Sequence, residues 1–337
     1  MFPDLSIWLS LLFVAGGLAL LAWSSDFFVA GAASLARSLG VAPFIVGMVV
    51  IGFGTSVPEL CVSALSGASG HSSLSLGNAY GSCVFNIAAI LGIAAVLRPV
   101  AVRRRSAVAS GLVLAVISAC SYLLLRDGEC SRTDGALLLV AFAVVMGAYC
   151  ALGGRPAAQE DDAATDSGHV SAAVAALKTV VGLAVLAGSS HILVWGAVNL
   201  ARAMGVEELA IGLTIVAAGT SLPELASAVA AARRGESDFV VGNIVGSNIF
   251  NTLVVVGLAC AISPARGFPA LVLARDIPAM AALSLSIALF AAFPGRAGGA
   301  AACAGTPATV RIGRAKGAIW LFAFAAYEAL VVVQEIF

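Results

Sequence analysis

The strongest constraint in this chain is a series of apolar runs, each close to the roughly 20 residues that a helix needs to cross a bilayer. They fall at about 5–32, 41–68, 74–97, 107–125, 135–152, 173–202, 207–232, 238–262, 276–294 and 316–336. No water is available in the hydrocarbon layer to satisfy the backbone, so the runs are predicted as helices. Of the residues, 61% are hydrophobic and 11% charged, against roughly 25% charged in a soluble domain. The expected fold class is an all-α integral membrane protein with ten transmembrane helices. The first run lacks the basic leader and small-residue cleavage site of a signal peptide and is expected to be a helix of the folded chain.

Charge orients the helices. With the N-terminus outside, Arg37, Arg98, Arg103, Arg104, Arg105, Arg155, Lys178, Arg233, Arg234, Arg296, Arg311, Arg314 and Lys316 face the cytoplasm, 13 of the 18 basic residues. Arg126, Arg132, Arg202, Arg266 and Arg275 lie on the other side. The excess of basic residues inside favours N-out, and an even number of spans then gives C-out. The RRR tract at 103–105 is a topology anchor in this reading, so no nucleic-acid partner is indicated, and no protein partner is evident. The seven cysteines form no CxxC or Cys/His cluster; they read as small packing residues, with neither a disulfide frame nor a zinc site expected.

The chain also matches itself. Shifted by 165 residues, 24–92 aligns with 189–257 without a gap, and 26 of the 69 positions are identical. The match runs from SSDFFVAGAASLARSLGV against SSHILVWGAVNLARAMGV, through FGTSVPEL against AGTSLPEL, to GNAYGSCVFN against GNIVGSNIFN. Five predicted spans separate equivalent points, an odd number, so the second copy enters the membrane from the opposite face. Two inverted five-helix repeats are expected, over 1–152 and 173–337, joined by a short acidic cytoplasmic linker at 153–172 that is read as disordered. Inverted repeats with interrupted helices meeting near the midplane are a signature of secondary transporters.

The repeated motif explains why a span would tolerate a proline and a glutamate. Pro58 has no amide hydrogen, so the Gly54 carbonyl loses its helical partner, and Pro223 does the same to Gly219. Such carbonyls persist at membrane depth only where they are buried in protein or line a polar cavity. Ser56 and Ser221 add hydroxyls near the carboxylates of Glu59 and Glu224. In GNxxGSxxFN, Ser82 and Asn86 lie four apart on one helix face, as do Ser247 and Asn251. Gly77, Gly81, Gly242 and Gly246 permit close helix approach. The donors are all oxygen, which suits a hard cation such as calcium with roughly six to eight ligands and not a soft metal seeking His or Cys. Neither 41–67 nor 207–232 contains a Lys or Arg, so each Glu lacks a partner in its own helix and reads as functional. Asp26 and His191, at equivalent positions, read as buried hydrogen-bonding residues, with an ion or proton relay as the alternative. Glu328 reads as an interfacial or locally paired residue.

On GTSVPEL, GTSLPEL, GNAYGSCVFN and GNIVGSNIFN, the chain resembles the paired alpha repeats of the cation/calcium exchanger superfamily, particularly the prokaryotic sodium/calcium exchanger type. The resemblance covers nearly the whole chain. It implies antiport in which sodium and calcium occupy clustered sites between the halves, and alternating access in which the first span of each half slides across the core. It implies calcium between Glu59 and Glu224 beside the carbonyls of Thr55 and Thr220. Flanking sodium sites would involve Ser56, Ser82, Ser221, Ser247 and the carbonyls of Gly52 and Ala217. Two departures stand out. Asn251 replaces the aspartate that many members carry opposite Asn86, and two carboxylates instead of three favour fewer bound positive charges. Cys83 replaces the usual Asn, still present as Asn248.

Sodium/calcium exchange is therefore the leading expectation, with calcium and sodium as transported ions, no resident cofactor and the bilayer as the surroundings. Proton-coupled calcium or other cation exchange is the nearest rival, because a buried glutamate can itself carry a proton. A passive cation channel comes next. An intramembrane hydrolase built on a serine and His191 is disfavoured, since GxSxG is absent. Sixteen arginines against two lysines, with abundant alanine, suggest a GC-rich bacterial genome and hence the cytoplasmic (inner) membrane.

Overall fold

The computed structural model describes residues 6–68, 72–152, 171–204, 217–267, 270–293 and 309–336. It is a helical bundle. In chain order the elements are α1 (Ile7–Leu39), a bent pair α2 (Pro43–Thr55) and α3 (Val57–Ala68), α4 (Ser75–Leu97), strand β1 (Val100–Arg103), α5 (Arg104–Leu125), strand β2 (Glu129–Cys130) and α6 (Arg132–Leu152). The second half has α7 (Ala172–Ala203), a helical turn Ala217–Thr220 leading into α8 (Leu222–Arg234), and α9 (Ser237–Ile262). Strand β3 (Ala265–Arg266), α10 (Val272–Ala292), strand β4 (Thr309–Ile312) and α11 (Arg314–Ile336) complete it. Among the described residues eight helices are long and apolar enough to cross a membrane, or nine when the α2–α3 pair, bent by 40°, is counted as one broken span. Of the tenth expected span, 207–232, the first part and the linker at 153–170 lie outside the described residues.

Burial sorts the helices into two classes. The most apolar stretches of α4 and α9 are 72% and 83% buried, whereas those of α1 and α7 are 22% and 28% buried. The motif helices thus form the centre, and the two longest helices lie across its periphery. At 33 and 32 residues, α1 and α7 span about 50 Å at 1.5 Å per residue, well beyond a hydrocarbon layer of about 30 Å, so they must tilt or project from it. They run antiparallel against each other, Gly17 of α1 against Leu193 of α7 and Gly182 of α7 against Phe28 of α1. Both start the same way: Ser6 caps α1 by accepting from the Leu9 N–H, and Ser171 caps α7 by accepting from the Val174 N–H. These caps are also 165 residues apart, so the repeat begins earlier in space than its sequence identity reveals.

Glycine allows the two halves to interlock. A Cβ at Gly52 of α2 would come within 2.8 Å of the Ser247 nitrogen, and one at Gly246 of α9 would run into the Met48 carbonyl. The close approach expected at Gly242 and Gly246 is present. Gly77 and Gly81 have open space among the described residues; most of the segment equivalent to α2, 208–216, is not among them.

Two short antiparallel ladders, not anticipated from the sequence, join the halves at opposite ends. Strand β1 pairs with β4, Val100 opposite Ile312, and β2 pairs with β3, Glu129 opposite Arg266. A disulfide between Cys130 and Cys260 staples the second connection. This corrects the expectation that the cysteines only pack: positions 130 residues apart come to a Cα separation of 5.2 Å, a proximity that spacing along the chain cannot reveal. Cys61, Cys83, Cys120 and Cys150 are free.

Candidate functional site

The two GTS-x-PEL segments meet at the centre. Each bends at its serine, where the backbone leaves helical geometry: φ −84°, ψ 6° at Ser56 and φ −91°, ψ 8° at Ser221. This sparsely allowed region often holds functional residues. The proline two residues on cannot donate back and so fixes where the helix breaks. The bends turn each serine toward the opposite half. Ser56 Oγ donates to Glu224 Oε1 at 3.0 Å, and Ser221 Oγ donates to Glu59 Oε1 at 2.9 Å.

Both carboxyl groups are completely buried. No basic side chain pairs with either among the described residues, and Oε2 of each has no hydrogen-bond partner. A buried carboxylate left in this condition costs several kcal/mol unless a cation or a proton compensates it. The site therefore needs a positive charge that the described residues do not supply. No cluster of three or more His, Cys, Asp or Glu occurs among the described residues, so every further donor is neutral.

The remaining predicted residues lie on α2, α4, α9 and the turns at Ser56 and Ser221. Ser247 Oγ donates to the Gly52 carbonyl at 3.1 Å, and Ser82 Oγ lies 3.4 Å from Ser221 Oγ. The Thr55 hydroxyl bonds back to the Ile51 carbonyl at 2.9 Å. Thr55 and Thr220 immediately precede the serines at the two bends. Ala217 opens the helical turn before Thr220. Asn86 and Asn251 are buried, at the start of matching π-helical turns, Phe85–Leu91 and Asn251–Val255. Such turns are frequent at functional sites. Among the described residues Asn86 Oδ1 and both polar atoms of Asn251 lack partners.

Three residues that position the site were missed. Asn78 Nδ2 donates to the Glu59 carbonyl at 3.3 Å and to Ser63 at 3.0 Å; Asn243 Nδ2 donates to the Glu224 carbonyl at 3.4 Å and to Ser227 at 3.1 Å. Each anchors the backbone beneath a carboxylate. The signal was available, because both are the Asn of the repeated GN pair. Ser190 on α7 donates at 2.9 Å to the Gly219 carbonyl, the group that Pro223 frees, whereas Ser25 at the equivalent place bonds to Ala22 in its own helix.

Asp26 and His191 differ from expectation. Neither is buried: His191 is exposed, and Asp26, half exposed, pairs with Arg234 of α8 at 3.6 Å. Both lie on the peripheral helices α1 and α7.

The chain resembles known proteins along most of its length. A family model described as sodium/calcium exchanger protein matches residues 9–150 and 174–333. CaxA of Alkalimonas amylolytica is 37% identical over 325 residues, covering 95% of this chain and 98% of that protein. The inner membrane protein YrbG of Escherichia coli (strain K12) is 36% identical over 279 residues, covering 81% of this chain and 86% of that protein. The structure of the sodium-calcium exchanger NCX_Mj soaked with sodium and strontium superposes with a TM-score of 0.81 at 28% identity, covering 96% of this chain and 99% of that one.

Proposed function

Because the chain belongs to the sodium/calcium exchanger family and is a membrane transporter, not an enzyme, we propose that it exchanges sodium for calcium by alternating access, in a ten-helix fold of two inverted repeats. The observation that carries this reading is the crossed pair Ser56–Glu224 and Ser221–Glu59, which leaves two buried carboxylate oxygens unpartnered. Those two oxygens, Oδ1 of Asn86 and Asn251, and the carbonyls of Thr55 and Thr220 make six oxygen donors, the lower end of the roughly six to eight that calcium takes. The carboxylates together neutralise one divalent ion. Ser56, Ser82, Ser221 and Ser247 with the carbonyls of Gly52 and Ala217 supply the neutral oxygens on which sodium binds beside or in place of calcium.

Competition follows from the charge. Two sodium ions and one calcium ion carry equal charge into the same buried pair, so loading one expels the other. An empty pair is costly to bury, which disfavours crossing without cargo. The lightly buried helices α1 and α7 contact each other across the whole arrangement, and their sliding opens the site first to one side and then to the other. The Cys130–Cys260 staple and the β2–β3 ladder lie on the side assigned as external by the basic residues, and a disulfide there suits the oxidising face of an inner membrane.

The test is calcium uptake into proteoliposomes. Accumulation is expected only when sodium inside exceeds sodium outside, with Glu59→Gln and Glu224→Gln both inactive. Uptake driven equally well by a pH gradient without sodium would assign proton coupling, and uptake that external sodium cannot reverse would defeat the exchanger reading.

A further inference from the structure

Positions 83 and 248 are equivalent in the repeat and meet between α4 and α9, but they carry Cys and Asn. The Cys83 carbonyl can only accept, and Asn248 Nδ2 donates to it at 3.3 Å. That bond fixes the Asn248 amide with Oδ1 on the other side, where it accepts from Asn86 Nδ2 at 3.1 Å. Asn86 is thereby locked in turn: its nitrogen is committed, and its Oδ1 stays unpaired in the buried interior.

The mirror of this relay stops after one link. Cys83 Sγ lies 3.8 Å from the Asn248 carbonyl and 3.6 Å from Thr252 Oγ1, a weak thiol version of the first bond. A thiol has no second polar atom with which to hold an amide. Asn251, the mate of Asn86, is fully buried, with neither Nδ2 nor Oδ1 partnered among the described residues. Buried amides are ordinarily hydrogen-bonded, so the exception calls for an account.

We propose that Cys83 is a positioning residue that sets cation affinity through Asn251. The thiol leaves the Asn251 amide free to turn, offering its oxygen to a bound cation and its N–H to a glutamate once the cation has left, while Asn86 offers oxygen only. The free amide stabilises the emptied, negatively charged site and so eases release. The inference rests on the exchanger reading.

The test uses the full-length protein, with calcium binding followed by titration calorimetry at fixed sodium and exchange followed in proteoliposomes. Cys83→Asn restores the missing link and pins Asn251 with its oxygen toward the site. Half-saturating calcium is expected to fall about threefold to tenfold, the worth of one hydrogen bond, with the maximal rate falling as release slows. Cys83→Ser, which adds no second polar atom, is expected to match the parent. In an Asn251→Ala background Cys83→Asn is expected to change nothing; an identical shift there, or no shift in the parent background, overturns the proposal. Should Cys83→Asn fail to fold, Asn248→Cys releases Asn86 instead and is expected to weaken calcium binding by a similar factor; unchanged binding overturns the proposal equally. A parent protein that binds no calcium removes the exchanger reading and this proposal together, whereas normal parent exchange with unresponsive variants removes this proposal alone.

Discussion

The two halves of this molecule agree where charge is handled and differ where neutral groups hold it in place. Glu59 and Glu224 each accept from the other half's serine at nearly the same distance, 2.9 and 3.0 Å, and Asn78 and Asn243 anchor them alike. Around that pair the equivalence lapses. Asn248 holds Asn86 while Cys83 leaves Asn251 free; Ser190 reaches across to Gly219 while Ser25 stays on its own helix; Asp26 pairs with Arg234 while position 191 carries histidine. Compensating a buried cation calls on both carboxylates, whereas the neutral groups around them are free to differ between the halves.

The sharpest way to break the comparison is to remove one carboxylate at a time. Glu59→Gln and Glu224→Gln are each expected to reduce exchange by about two orders of magnitude or more, since unpairing a buried charge costs about 3–5 kcal/mol and about 1.4 kcal/mol is tenfold. Equal losses support equivalence of the halves, and a large difference between the two flux measurements would refute it. Next comes the staple. Cys130→Ser is expected to lower stability by about 2–4 kcal/mol, read as a drop in thermal midpoint in detergent, with exchange retained. In intact cells a membrane-impermeant reductant should reach the bond, and protection from it would reverse the orientation assigned here.

Ser56→Ala and Ser221→Ala each remove one hydrogen bond to a carboxylate, worth about 1.5–3 kcal/mol, so exchange should fall roughly tenfold to a hundredfold in each. A loss confined to one serine would show that the crossed pair is not used symmetrically. The smallest effect is expected at Asp26→Asn. Its partner is solvent-accessible and the pair is worth at most about 1 kcal/mol, so the ratio of forward to reverse exchange should shift less than about fivefold. A larger shift would make this contact a principal source of the difference between faces.

Much of this was legible beforehand because the physics is local or repetitive. Hydrocarbon leaves the backbone no choice but helices or a closed barrel, which made the spans readable from apolar length. Pro58 and Pro223 announce their bends, and identical neighbours around Glu59 and Glu224 announce a paired site. Other features were hidden because they depend on contacts between distant segments. Cys130 and Cys260 look like packing residues until the loops meet. Asp26 looks buried on an apolar helix until α1 proves to lie at the periphery, within reach of Arg234. The strands are two to four residues long and carry too little pattern to be found.

The sequence by itself determined that this chain lives in a membrane, is built twice over and carries one acid per copy where a helix must break. Those facts follow from side-chain chemistry and from the missing proline amide, which act wherever the chain goes. Only the tertiary structure decided that each acid is held by the other copy's serine and that, among the described residues, Asn86 is pinned while Asn251 is not. A hydrogen bond depends on distance and direction between groups, and for groups about 160 residues apart these are set only when the two halves close upon each other.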